Sequence, residues 1–231
     1  MSRVLFDLAA ADGRRFSPHC WRSTMALAHK GLDCERRATT FGDIAALGEG
    51  LRTVPVLDDG GLRIGDSWAI AEHLEAAYPE RPSLFGGEAG HALARFVQHW
   101  TALQMQLPIF RMIVADVHAA LAPEDQAYFR ASREQRLGRT LEEVQAGRER
   151  ELPAFRAGLA PLRATLQAQP FVAGAAPAYA DYLPFGALQW ARTMSPLRLL
   201  EDDDPVQAWF ERCLDLFGGL GRRAPALGPA R

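Results

Sequence analysis

The sequence predicts an α/β domain over residues 1–82 followed by an all-helical domain over residues 88–231. Three observations carry this. In the first third, short apolar runs alternate with helix-like stretches, in the order βαβ, a variable segment, then ββα. Beyond residue 88 apolar residues recur at three- and four-residue steps, as at Leu93, Phe96, Val97 and Trp100, with no convincing strand. Between the two lies RPSLFGGEAG (81–90), whose Pro and Gly content marks a linker.

Val4–Leu8 reads as the first strand. Pro18–Lys30 reads as a helix, opened by Ser17 and Pro18 and closed by Gly31. Trp21, Met25 and Ala28 share one of its faces, so that face packs. A second strand covers Cys34–Thr40, and a weak Gly-rich segment follows around Ile44–Gly50. Thr53–Leu57 and Leu62–Gly65, joined by Asp58-Asp59-Gly60-Gly61, make a hairpin. Asp66 and Ser67 then open a helix that runs through Ala69–Tyr78 and stops before Pro79. The crossover helix implies a parallel strand pair and the hairpin an antiparallel one. Helical periodicity covers 89–120, 124–149, 151–168, 179–194 and 205–217, and the Arg-, Ala- and Pro-rich end at 222–231 reads as a frayed tail.

Composition narrows the function classes. With 231 residues, 48% apolar and 23% charged, the chain has ample material for a core. A formal net charge of −2 leaves no basic footprint for nucleic acid. No uninterrupted apolar run approaches the ~18 residues of a membrane span, and the N-terminal apolar stretch, broken by Asp7, is a strand rather than a signal peptide. Cys20, Cys34 and Cys213 are too scattered for a disulfide framework or a metal site, which points to a reducing, cytoplasmic setting.

Three motifs matter jointly: Ser17-Pro18 at a strand-to-helix junction, Val54-Pro55 before the hairpin, and Asp66-Ser67 at the start of the next helix. With this order and spacing the chain resembles the glutathione transferase superfamily, above all in TVPVLDDG and GDSWAIAEHLE. The resemblance implies a thioredoxin-like first domain, a helical second domain, glutathione as co-substrate and a homodimer. The stretches SPHCWRSTMALAHKGL, RTVPVLDDGGLRIGDSWAIAEHLEAAYPERPSLF, SREQRLGRTLEEVQAGRERELP and DDDPVQAWFERCLDLFGGLG further resemble the bacterial lignin β-etherases, glutathione-dependent enzymes that cleave aryl ethers.

The chemistry at these positions follows from the residue types. A free thiol has a pKa of ~8.5, and only the thiolate attacks well. One hydroxyl donated to a thiolate is worth ~1.5–3 kcal/mol, or ~1–2 pKa units, and the free N–H groups of a helix start add to it. Ser17 stands where the serine-type members of the superfamily place that hydroxyl. Taken alone, Ser17 and Pro18 are an ordinary helix opening; the other two motifs favour the catalytic reading. The resemblance gives Val54 the backbone contact to the cysteinyl part of glutathione beside a cis Pro55, and Ser67 and Asp66 the γ-glutamyl end; Arg52 stands near the predicted site, and the sequence leaves open whether it touches the glycine carboxylate.

SPHC has the spacing of a thioredoxin-type C-x-x-C with serine replacing the first cysteine, so a dithiol cycle is excluded. Cys20 is then either a half-buried packing residue, the favoured reading, or a thiol in the first helical turn. Asp181 stands where the second domain has a capping segment, with Ala178 replacing the usual Ser or Thr. A second substrate, a small aromatic electrophile, is expected between the domains. Trp100, Met105, Phe110 and Trp190 are candidate walls, with Cys20, Arg111 and His118 as further candidates.

The resulting expectation is a serine-type glutathione transferase attacking an aryl compound, extending to β-aryl ether cleavage. The alternatives are a general detoxifying transferase for halogenated or epoxide substrates, a glutathione-dependent isomerase, a non-catalytic carrier of glutathione or hydrophobic ligands, and a thiol-disulfide reductase working through Cys20.

Overall fold

The computed structural model describes residues 2–227. Its first domain runs β1 (Arg3–Leu8), α1 (Pro18–His29), β2 (Glu35–Thr39), a 3-10 turn (Ile44–Leu47), β3 (Val56–Asp59), β4 (Leu62–Gly65) and α2 (Ser67–Ala77). The strands form one sheet in the order β2-β1-β3-β4. β1 pairs parallel with β2, Val4 opposite Glu35, and antiparallel with β3, Phe6 opposite Val56; β3 and β4 form the hairpin. Pro55 brings no N–H to the ladder, so β3 begins one residue after it.

The second domain opens with a long rod, α3 (Glu88–Thr101), a π-helical turn (Ala102–Gln106) and α4 (Leu107–Ala120). The periodic stretch 89–120 is therefore continuous, but one wide turn shifts its faces. The stretch expected over 124–149 is broken. α5 (Pro123–Leu137) ends on Gly138, at φ 67°, and α6 (Leu141–Gln145) starts on Thr140 with a reciprocal capping box to Glu143. Gly147, at φ 69°, ends this part and a 3-10 turn follows. Leu159 separates α7 (Leu152–Gly158) from α8 (Ala160–Ala168), so 151–168 is two helices rather than one. α9 (Tyr179–Met194) and α10 (Pro205–Gly219) complete the fold.

The end of the chain also departs from expectation. Residues 222–227 fold back on α9. Arg192 donates to the carbonyls of Arg222 and Ala224, and Leu227 N donates to Arg192 O. The rest of the expected tail, 228–231, lies outside the described residues.

Sequence periodicity gave α1 one packing face, yet Arg22, Ser23 and Thr24 on its polar side are buried as well. The reason is that α1 is sandwiched. The sheet and α2 cover one side, and α9 of the second domain covers the other. α9 comes this close because residue 186 is glycine: a Cβ there would overlap the carbonyl oxygen of Pro18 and press on Arg22.

Asp181 anchors the start of α9. Its carboxylate accepts from Val172 N (2.7 Å), Ala173 N (3.2 Å), Ala178 N (3.1 Å) and Trp209 Nε1 (2.9 Å). With alanine at 178, only the Asp181 half of a capping box exists. Burial raises the Asp181 pKa, and the four hydrogen bonds offset this only in part.

Gly186→Ala tests the sandwich. In an ordinary helix this change stabilises by ~1 kcal/mol. Here the overlap costs ~1–3 kcal/mol of overpacking, so the variant melts lower. A drop of a few degrees in a thermal melt is expected, at ~2–4 °C per kcal/mol for a chain of this size. An unchanged or raised melting temperature would show that the contact is slack.

Candidate active site

β1 delivers the chain to a loop that ends at Ser17, the N-cap of α1, with Pro18 at the first helical position. Ser17 is 5% exposed, and its Oγ accepts from Cys20 N at 3.3 Å. That bond occupies a lone pair, and the hydroxyl also meets the side chain of Cys20 as a hydrogen-bond donor. The site therefore offers an O–H donor beside the N–H groups of a helix start, which suits an anion.

The Val54–Pro55 peptide is cis, and Val54 lies just outside the sheet ladder. Asp66 caps α2, its Oδ1 accepting from Trp68 N (2.8 Å) and Ala69 N (3.1 Å). It does so at φ 74°, a strained setting for a residue with a Cβ. Ser67 follows, 2% exposed, as the first residue of α2. Its carbonyl accepts from the hydroxyl of Tyr179 at 2.7 Å, which ties the second domain to this corner. Arg52 is exposed and donates to the carbonyl of Leu51 (3.0 Å).

The expected pocket residues separate. Cys20 and Met105 both have 0% exposure and belong to the core, so neither is a wall open to a substrate. Burial, then the nearby Asp7 carboxylate, pushes the Cys20 thiol well above its ordinary value, which keeps it protonated and unreactive. Trp100 packs half-buried against the core. Phe110 and Trp190 do come together, their rings stacked at 6.3 Å, with the Arg136 guanidinium 5.3 Å above Phe110. The buried indole Nε1 of Trp190 has no hydrogen-bond partner. Arg111 points elsewhere, onto a cavity lined only by helical-domain residues. His118 lies 6.3 Å from Phe129, and burial, then Arg130, lowers its pKa.

One cluster beside Ser17 had no sequence signal strong enough to single it out. His19, Arg22 and Gln106 form a polar triangle across the domain seam. Arg22 donates to His19 Nδ1 (3.0 Å) and to Gln106 Oε1 (2.9 Å), while His19 Nε2 faces Gln106 Nε2 at 2.8 Å. With Arg22 donating to both partners, the third edge opposes two donors, and flipping the amide merely moves the opposition to Arg22. Arg22 is 1% exposed and forms no ion pair among the described residues. Burial, then Arg22, lowers the His19 pKa to about 3. Tyr179 was missed too: one tyrosine in a helical stretch says nothing about a carbonyl 112 residues away.

Among the described residues, no group of three or more His, Cys, Asp or Glu side chains is arranged to hold a metal, and no helix is long and apolar enough to cross a membrane.

Comparison with known proteins bears on the family and the fold. A model described as the glutathione S-transferase N-terminal domain matches residues 13–82, and one described as the glutathione S-transferase C-terminal domain matches residues 92–216. The glutathione S-transferase-like protein ustS of Aspergillus flavus is 24% identical over 217 residues, covering 81% of this chain and 78% of its own. The glutathione transferase GSTFuA3 from Phanerochaete chrysosporium superposes with a TM-score of 0.77 at 29% identity, over 95% of this chain and 92% of its own. The glutathione S-transferase CsGST63524 of Ceriporiopsis subvermispora, solved in complex with glutathione, gives 0.78 at 23% identity, over 97% of this chain and 99% of its own.

The His19 shift has a definite sign. Its folded pKa lies below the ordinary 6.5, so the folded state binds fewer protons, and stability is lost as pH falls below about 6.5 towards 3. His19→Gln removes that titration. At pH 7.5 the variant is expected to melt below the wild type, and at pH 5 the gap narrows. A gap independent of pH in paired melts would mean that His19 does not titrate in this way.

Proposed function

The chain belongs to the glutathione S-transferase family, and from that membership we propose that it is a serine-type enzyme in which Ser17 holds the glutathione thiolate for attack on a small aromatic electrophile. The observation that carries this is the Ser17 hydroxyl at the N-cap of α1, beside the first N–H groups of the helix. Donated to sulfur, it stabilises the charged form by ~1.5–3 kcal/mol and lowers the thiol pKa by ~1–2 units. Val54 offers backbone groups to the cysteinyl part of glutathione in the manner of an added strand. Ser67 and the N–H groups of α2 suit the γ-glutamyl carboxylate, and the second oxygen of Asp66 suits its ammonium. The complex of the Ceriporiopsis relative with glutathione supports the choice of ligand.

The finer reading, from the β-etherase resemblance, is cleavage of a β-aryl ether. The thiolate sulfur attacks the carbon bearing the aryloxy group, the C–O bond breaks, and its electron pair leaves on the phenolate oxygen. Protonation gives a phenol, and the other product is a glutathione thioether.

A homodimer is part of the proposal. On the α3 rod Leu93, Phe96 and Leu103 are 67%, 69% and 64% exposed, a set of large apolar side chains for which a second copy is the natural cover.

Two experiments bear on these points. Phenol release from a chromogenic β-aryl ether is expected to require glutathione. In Ser17→Ala, kcat/KM falls at least about tenfold and the pKa of the bound thiol rises by ~1–2 units. Glutathione binding without ether cleavage would confine the enzyme to other electrophiles, and turnover unaffected by Ser17→Ala would remove the serine role. Separately, Phe96→Glu is expected to convert a dimer to a monomer in analytical ultracentrifugation; a wild-type monomer would refute the assembly.

A further inference from the structure

The rod formed by α3, the π turn and α4 has a second working side. Gln106, on the last position of the π turn, reaches His19 of the first domain. Gln104, two residues earlier, faces a cavity of about 550 Å³ enclosed by α4, the end of α5, α6 and α7. The wide turn and Gly158 together leave this space open: a Cβ at 158 would meet Gln104 Oε1 at 3.4 Å. The volume falls within the ~300–1,000 Å³ of ligand pockets.

We propose that this cavity is a binding site for a small hydroxylated aryl carboxylate, separate from the site at Ser17. Its walls are mixed in the way such a ligand needs. Pro108, Met112, Leu137, Val144 and Phe155 supply apolar surface for a ring. Three arginines line it, and their commitments differ. Arg148 is taken: it pairs with Asp116 at 2.5 Å and donates to Met112 O at 3.2 Å. Arg139 gives one N–H to the backbone oxygen of Glu143 (3.2 Å) and pairs with no carboxylate among the described residues. Arg111 is exposed and has no hydrogen bond, ion pair or ring contact among the described residues. A guanidinium fork without a partner, at the wall of a cavity that also has apolar surface, is suited to a carboxylate.

Two carboxylates also line the cavity, and they limit the charge of the ligand. Glu143 is held by Thr140 N at 2.9 Å in the capping box. Glu151 has no partner among the described residues, so it disfavours a dianion and accepts a proton donor such as a phenolic hydroxyl. One carboxylate, one hydroxyl and a flat apolar body satisfy this set. No residue of the first domain lines the cavity, so occupancy does not compete with glutathione.

The probe is 6-hydroxy-2-naphthoate, titrated calorimetrically into the full chain saturated with S-hexylglutathione. One site per chain is expected, with an affinity unchanged by S-hexylglutathione. Arg111→Gln is expected to weaken it about tenfold, the effect of one charge-assisted pair. Ala154→Trp, which fills the cavity from α7, is expected to abolish it while S-hexylglutathione still binds. The uncharged 2-naphthol binds far more weakly. The proposal is overturned if the naphthoate does not bind, if S-hexylglutathione displaces it, or if the variants or the neutral probe bind equally well. Retained binding of S-hexylglutathione in every arm keeps this result distinct from the Ser17 reading.

Discussion

The close approach of α9 to the first turn of α1 is the constraint on which the rest of the structure depends. It requires glycine at 186, because the carbonyl of Pro18 occupies the space of a side chain. It explains why α1 buries polar residues: a helix covered on both sides cannot keep a solvated stripe. And it fixes the site from behind. Ser17 is the residue before Pro18, so the hydroxyl is aimed by a helix end clamped between two domains. The same seam carries Tyr179, whose hydroxyl holds the carbonyl of Ser67 at the start of α2.

The seam also concentrates unbalanced polarity. Arg22 is buried without an ion pair, and its triangle with His19 and Gln106 contains one donor too many. Asp66 adds a strained backbone a short way off, at a position where its carboxylate must cap α2. Buried cations, surplus donors and two helix starts all favour negative charge, and strain of this kind collects where function requires a fixed geometry.

How much of this the sequence made legible depends on the range of the interaction. The sheet, the hairpin and the helix openings were readable because local residues determine them: Pro18 and Gly31 around α1, Asp58-Asp59-Gly60-Gly61 in the hairpin, Asp66 before α2. Glycines at 138 and 147 break helices by adopting positive φ, yet a periodic pattern runs through them, so 124–149 looked like one helix. The π turn was invisible for the same reason. In the site, Ser17, Val54 and Ser67 stand on motifs. Met105 looked like a pocket wall, but whether an apolar residue faces a cleft or the core is decided by the partner element, which spacing does not encode. Arg22, Gln106 and Tyr179 act across 84 to 112 residues of chain, and no local pattern reports that.

The serine and the cysteine three residues apart divide one chemistry in a way that follows from burial. The first position of the turn carries a hydroxyl at the helix start, while the second has lost access to water. A thiol sealed beneath the helix, with a carboxylate beside it holding its pKa up, cannot supply a nucleophile at neutral pH. Under the serine reading the reactive sulfur must therefore arrive with the ligand, and the protein contributes only the field that ionises it. A hydroxyl suits that task better than a second thiol would, since it donates to sulfur without forming a disulfide with it. Under that same reading, serine in place of the first cysteine changes the class of reaction open to the fold, from electron exchange to substitution at carbon.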